Sequence, residues 1–192
     1  MSIRHSNCAL SRPPTTKDFT VCFSRRRTSN RILHWSFVHG VAMNFYLPPL
    51  AIFGQELAQR RHHCFVINTR GHDWIARVGN LTKFGGSAYE NLEDCLLDFD
   101  GALDYLHKQG YRRFVLVGHS LGAIKSIIYQ GTRQRADVVS IVSCSAPKQF
   151  YSERVSRQPG FRETIEKAET MVAEGRGEGV IVHRRGRHTG NL

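Results

Sequence analysis

The stretch "RRFVLVGHSLGAIKSIIYQ" (112–130) constrains the fold of this chain more than any other. Phe114 to Val117 are apolar without interruption, so a strand here has no face to offer water and must be covered on both sides. Past Gly118 and Ser120 the pattern turns helical, and a helix is expected to run to about Gly131. A doubly covered strand that feeds a helix is the repeating unit of a parallel sheet, whose crossovers are helices packed on its faces.

The rest of the chain repeats that unit. "FTVCF" (19–23) and "ILHWSFV" (32–38) are short β-branched and aromatic runs around the turn-like "SRRRTSNR", and are expected to form a strand pair. Beyond Pro48-Pro49, "LAIFGQELAQRRHH" places Leu50, Phe53, Leu57 and Ala58 on one helical face, and "CFVIN" (64–68) reads as a buried strand. In "SAYENLEDCLLDFDGALDYLHKQG", Tyr89, Leu92, Leu96, Phe99, Leu103 and Leu106 recur at helical steps. Ser87 and Glu90 have the spacing of a capping box there, and Gly110 stands where the helix must end. "DVVSIVSCS" (137–145) is the next strand. The expected fold class is α/β, a mostly parallel sheet with helices on both faces.

At 192 residues, 41% hydrophobic and 22% charged, the chain has the size of one domain and no apolar run near the length of a membrane helix. The opening "MSIRHSNCALSRPPTTK" lacks the apolar core of a signal peptide, so a cytoplasmic protein with no membrane partner is expected. Cysteines at 8, 22, 64, 95 and 144 contain no C-x-x-C pair and fit reduced thiols better than disulfides or a metal site. The net charge of +11 is lumpy, in Arg25-Arg26-Arg27, Arg60-Arg61, Arg112-Arg113 and Arg184-Arg185 with Arg187. None of these clusters alternates with aromatics as on a nucleic-acid-binding strand, so they read as solvated surface with no nucleic-acid partner. A basic binding protein is the minor rival.

Ser120 carries the chemistry. In Gly118-His119-Ser120-Leu121-Gly122, glycines lie two positions to either side of it. When a serine is lifted on a sharp turn between strand and helix, neighbouring Cβ atoms collide, and glycine at both places is what such a nucleophile elbow needs. The alternative is an ordinary loop in which Ser120 only caps the helix. The N–H of Leu121, first in the helix, is aimed where an oxyanion would lie, and a second donor is expected from the loop after an earlier strand. "FVHGVAMNF" is that loop: His39-Gly40 closes a strand and the glycine would let the N–H of Val41 approach. A plain turn with a satisfied histidine is the alternative. "NTRGHD" (68–73) turns at the edge where α/β sheets bind ligands, although a structural turn with Arg70 bonded to neighbouring carbonyls is the favoured role. His72 and Asp73 invite a triad reading but precede the serine, and His62-His63 beside Cys64 reads as a helix end running into a strand, not as a metal site.

With the His-Gly loop, the N-x-R-G-H turn and G-H-S-L-G in this order, the chain resembles the α/β-hydrolases over roughly residues 19–175. The fuller wording "HGVAMNFY", "NTRGHDW" and "GHSLGAIKSIIYQ" resembles, more narrowly, hydrolases related to fungal siderophore esterases and their bacterial relatives. The resemblance implies a serine hydrolase. Ser120 would attack an ester or related acyl carbonyl, the Val41 and Leu121 N–H groups would hold the oxyanion, and His39, Gly40, Gly118, His119 and Gly122 would support them. A histidine guided by an acid would relay the proton. Water is then the second substrate, a small-molecule ester the partner, and no cofactor or metal is implied.

The acid and histidine of this superfamily follow the serine, at the ends of later strands. Only 72 residues remain here (192 minus 120). Asp137 opens a strand and so belongs to the wrong edge. Glu163, Glu166, Glu169 and Glu174 sit in "FRETIEKAETMVAEGRGEG", read as an amphipathic helix with solvated charges and as the start of a cap from about residue 150. His183 and His188 lie in "VIVHRRGRHTGNL", where apolar patterning fades. The expectation is a hydrolase domain over 19–179, incomplete at its C-terminal end, between a disordered tail (1–18) and an irregular basic tail (180–192). The rival is a non-catalytic or truncated hydrolase-like module without turnover.

Overall fold

A computed structural model of the protein describes residues 22–23, 32–48, 50–78, 82–148, 151–158, 160–177, 179 and 181. The chain divides into two compact units after Pro147, and each is described by itself.

In chain order the first unit holds β1 (Cys22–Phe23), β2 (Leu33–Val38), α1 (Leu50–Gln59), β3 (His63–Ile67), β4 (Ala76–Val78), β5 (Lys83–Gly85), a 3-10 turn (Leu92–Asp94), α2 (Cys95–Lys108), β6 (Arg113–His119), α3 (Leu121–Arg133) and β7 (Val138–Cys144). Five strands form one sheet in the order β1-β3-β2-β6-β7, and β4 pairs with β5 in a separate hairpin. Strands β3, β2, β6 and β7 are parallel, and β1 alone is antiparallel. The mostly parallel α/β sheet expected from the sequence is what forms.

Alternate residues of the central strands face opposite layers, as the pleat requires. Phe65, Ile67, Phe114 and Leu116 pack with Phe99, Leu103 and Leu106 of α2 and Tyr129 of α3. Phe37, Cys64 and Val66 pack instead with Leu50 of α1 and with Leu57 and Ala58. Both faces are therefore sheathed, which is why β3 and β6 tolerate uninterrupted apolar runs.

Three local expectations are corrected. The strand pair proposed for 19–23 and 32–38 does not form: Cys22 and Phe23 pair with Phe65 and Cys64 of β3. Strand β2 already has parallel neighbours on both sides, leaving β3 as the open edge. Phe53 does not share the buried face of α1; it is exposed, and Gly54 is buried with Leu50. The box of Ser87 and Glu90 does not cap α2. Asn91 caps the 3-10 turn and α2 begins at Cys95, while Ser87 and Glu90 are taken by tertiary partners described below. The far end of α2 is as expected. Gly110 has φ 92°, and the Tyr111 N–H reaches back to the Leu106 carbonyl over 3.1 Å.

The connectivity decides where a site can sit. From β2 the chain moves to β3 on one side, then crosses through α2 to β6 on the other side. The connections leaving β2 and β6 run to opposite sides of the pair, a topological switch point. Open α/β sheets bind ligands outside the carboxyl ends of the strands at such a point. Val38 pairs with Gly118, so Gly40 and Ser120, two residues further on, emerge side by side.

The second unit contains α4 (Tyr151–Arg157) and α5 (Phe161–Ala173). On α5, Glu163, Glu166 and Glu169 are exposed, as is Glu174 at its C-cap, so these acids are solvated helix charges. Among the described residues no helix is long and apolar enough to cross a membrane. Residues 1–18, His183 and His188 lie outside the described residues, as do Arg25 to Arg27 and Arg184 to Arg187.

Candidate active site

Ser120 joins β6 to α3 with φ 54° and ψ −122°, a backbone state that a residue with a side chain adopts only under strain. It makes no side-chain capping bond to the helix, which removes the reading of Ser120 as a simple N-cap. Its N–H donates to the Cys144 carbonyl at the end of β7 over 2.9 Å.

The neighbouring glycines are steric necessities. A Cβ on Gly118 would lie 2.3 Å from the Gly122 carbonyl oxygen and 2.4 Å from Ala123 Cα. One on Gly122 would lie 2.3 Å from the Val38 oxygen and 2.5 Å from the His39 oxygen. Both obstacles are backbone, so no rotamer change relieves them. The pair lets the first turn of α3 press against β6 and against the end of β2. A Cβ on Gly40 would approach Ser120 Cβ to 2.9 Å and Oγ to 3.4 Å, so the His-Gly loop abuts the serine itself. Leu121 opens α3 and has no carbonyl one turn earlier to receive its N–H, the ordinary condition of a helix start.

His39 is fully buried at the end of β2. Its Nε2 accepts from the Thr69 N–H at 3.1 Å, so its proton sits on Nδ1, which donates to the Gly40 carbonyl at 2.8 Å. Burial lowers its pKa to about 4, against the opposing pull of that carbonyl. It is the satisfied histidine of the alternative reading, and it also grips the loop that abuts Ser120. His119 is half-buried, and its Nδ1 has no partner among the described residues.

The loops after β2 and β3 are stitched together. Asn68 Oδ1 accepts from the Phe45 N–H, Ser87 Oγ accepts from the Ala42 N–H and donates to the Gly71 carbonyl, and the Asp73 N–H donates to the Met43 carbonyl. Asp73 receives Asn44 Nδ2 and the Tyr46 hydroxyl, and lies 2.7 Å from His72 Nδ1. Burial alone would raise the Asp73 pKa; these three partners together hold it below the ordinary carboxylate range. Arg70 does not bond neighbouring carbonyls as expected. Its guanidinium pairs with Asp98 at 3.0 Å and Asp94 at 3.5 Å, because the loop lies over the N-terminal end of α2.

Other sequence candidates lie elsewhere. Asp137 precedes β7 at the opposite end of the sheet, bonded to Arg135 and His107, which lower its pKa to about 2 against the effect of burial. His63 is buried in β3 with Nδ1 2.7 Å from the Tyr111 hydroxyl.

Sequence reasoning missed a buried ion pair directly behind the elbow. Lys125, one turn into α3 and fully buried, bonds Glu90 and also Thr69 Oγ1 at 3.1 Å. The Glu90 carboxylate fills the space over Gly71, where a Cβ would lie 2.0 Å from Oε1. A signal existed: Lys125 falls between Gly122, Ser126 and Tyr129 on the buried stripe of α3, a place for apolar residues.

Likeness to solved structures agrees with this architecture. The chain is similar to the monoacylglycerol lipase of Paleococcus ferrophilus (TM-score 0.53, 19% identity, covering 79% of this chain and 49% of that one). It is also similar to the alpha/beta hydrolase GrgF of Penicillium sp. sh18 (0.53, 13%, 80% and 50%). A putative hydrolase of Agrobacterium vitis S4 is a further likeness (0.52, 17%, 82% and 62%). At these identities the likeness is one of fold, and the chain spans about half the length of most of these structures. No curated protein sequence matches it. Residues 37–187, which carry the His-Gly loop, the stitched turn after β3 and the strained serine, match the sequence profile of the Alpha/beta hydrolase family, and to that family the chain belongs.

Proposed function

We propose that the chain is the nucleophile-bearing part of a serine hydrolase acting on a carboxylic ester or related acyl substrate. The observation that carries this reading is the backbone of Ser120, a strained non-glycine conformation enclosed by three glycines whose Cβ atoms would collide with its surroundings. Strain of this kind, about 1–3 kcal/mol, persists only where packing imposes it, and its effect here is to hold one hydroxyl proud of the sheet edge.

In this reading Ser120 Oγ adds to the acyl carbonyl carbon while its proton passes to a base. The carbonyl oxygen becomes an oxyanion between the N–H groups of Val41 and Leu121. Collapse expels the alcohol, and water then releases the acid from the acyl-enzyme. Among the described residues no histidine follows Ser120; the two that follow it in sequence are His183 and His188. A second reading of the 192-residue chain is a hydrolase-like module without turnover. The wording of the three motifs, similar to that of the siderophore esterase group, supports an ester as the substrate class.

A fluorophosphonate probe separates a nucleophilic Ser120 from a non-catalytic module. Covalent labelling that disappears in Ser120→Ala is expected, and labelling that persists in the variant overturns the assignment. A burst of nitrophenol from a short-chain nitrophenyl ester without a steady state marks acylation without turnover; steady hydrolysis marks a complete site.

A further inference from the structure

The Lys125–Glu90 pair is a buried ion pair of the first unit. Both side chains are nearly excluded from water, with relative exposures of 1% and 8%, and two charges removed from water need strong compensation. An apolar residue at Lys125, on the stripe of Gly122, Ser126 and Tyr129, would bury at no electrostatic cost. Their bonding is directional, however, and it leads to the loop beside Ser120.

The polarity of that path follows from the groups themselves. An ammonium only donates, so Thr69 Oγ1 accepts from Lys125 Nζ at 3.1 Å and has its own proton free for His39 Nε2, also at 3.1 Å. The Thr69 N–H shares that nitrogen's single lone pair with the hydroxyl, and Nδ1 is left as the protonated position. Nδ1–H then donates to the Gly40 carbonyl at 2.8 Å. In a trans peptide the C=O and N–H point in opposite directions, so fixing the Gly40 carbonyl toward the buried ring turns the Val41 N–H away from it.

We propose that the buried Lys125–Glu90 pair, acting through Thr69 and His39, locks the plane of the Gly40–Val41 peptide and so positions the Val41 N–H as an oxyanion donor. Lys125 stands on the helix that begins with Leu121, so one network fixes both donors against each other. Lys125, Glu90, Thr69 and His39 are buried behind the loop and act through one another, as positioning residues. The inference rests on the serine-hydrolase reading for its purpose, though not for its geometry.

Thr69 is the link to cut, because valine keeps the shape and serine keeps the hydroxyl. In the 192-residue chain, nitrogen NMR should show His39 with Nδ1 protonated and Nε2 bare, and the same state in Thr69→Ser. Thr69→Val should displace the Val41 amide resonance and slow fluorophosphonate labelling of Ser120 by about tenfold or more, with Thr69→Ser near wild type. Lys125→Met should move the Val41 resonance in the same direction; if it fails to fold, the Thr69 variants decide alone. An unchanged Val41 amide in Thr69→Val, or equal effects of valine and serine, overturns the proposal. A wild-type chain that the probe does not label overturns the nucleophile reading instead, and the NMR comparison still decides the positioning.

Discussion

The two ends of the sheet are built on different principles. At the carboxyl ends of the strands, each of β2, β3, β6 and β7 is followed by a non-glycine residue with positive φ: Ala42 at 55°, Asp73 at 59°, Ser120 at 54° and Ser145 at 50°. At the amino ends the two such residues, Arg61 before β3 and Gln134 before β7, end helices α1 and α3. There Asp137 pairs with Arg135 and His107, His63 meets Tyr111, and His34 is enclosed by Tyr111 and Phe114. Left-handed backbone at the carboxyl edge thus falls in the loops that leave the strands and at Ser120, whereas at the amino edge it only ends helices. The opposite edge spends its sequence on packing and charge pairing.

The two ends share one liability, and it gives the largest expected effect. His34 near the amino edge and His39 at the carboxyl edge are both buried, and burial lowers their pKa values to about 3 and about 4. The unfolded chain takes up these protons near pH 6.5, before the folded one can. Stability should therefore fall as pH drops from about 6.5 to 4, by about 3 kcal/mol for each ring. Urea unfolding at pH 7 and pH 4 measures the sum, and His34→Phe should flatten the dependence by about half. An equal dependence in the variant would mean that the amino-edge histidine is not the neutral, buried group described.

Next in size is Gly122→Ala. Its new Cβ would meet the Val38 and His39 oxygens at 2.3 and 2.5 Å, and the helix can move only by leaving β2. A loss of about 3 kcal/mol is expected in urea unfolding, together with slower labelling of Ser120, because the Leu121 amide retreats from Gly40. A variant of near-native stability would show that the edge is less tightly closed than its backbone contacts indicate.

The amount of this that was legible in the sequence follows from the range of the forces involved. Periodicity is local, so "RRFVLVG" and the Phe99, Leu103, Leu106 stripe marked β6 and α2, and the flanking glycines marked the elbow. Partner choice is not local. Ser87 and Glu90 had a capping box's spacing, yet the first was drawn to Ala42 and Gly71 and the second to Lys125. Phe53 fitted a helical face that α1 turns to solvent, with the smaller Gly54 against the sheet, where it receives the Cys64 thiol. The pairing of β4 with β5 was not legible, because three residues in each strand are too few to show a period. The network behind the elbow joins residues 39, 69, 90 and 125, and no window of sequence contains them all.

Releasing the strain at Ser120 should raise stability while removing function. Ser120→Ala retains a Cβ and therefore the strain, so its stability should stay within a few tenths of a kcal/mol of wild type. Ser120→Gly relaxes about 1–3 kcal/mol of strain at a cost of roughly 0.5–1 kcal/mol in unfolded-chain entropy, a net gain of about 1 kcal/mol. Neither variant should react with fluorophosphonate. If alanine and glycine are equally stable, the backbone at 120 is not strained, and the contrast between the edges loses its central member.

The smallest effect uses the same helix at its other end. Helix α3 starts at the elbow and runs back toward the amino edge, so Gly122 and Gly131 sample the two environments along one element. Around Gly131 nothing lies within 4 Å of an added Cβ, and the position is exposed. Glycine there only weakens the helix, since it loses more backbone entropy on folding than alanine does. Gly131→Ala should therefore stabilise the chain by about 0.5–1 kcal/mol, the opposite sign to the same substitution nine residues earlier. Measured side by side in urea, the two variants isolate the role of place from that of residue type. A loss at both positions would make the open end of α3 as demanding as its crowded start beside β2, and the contrast between the two edges would fail.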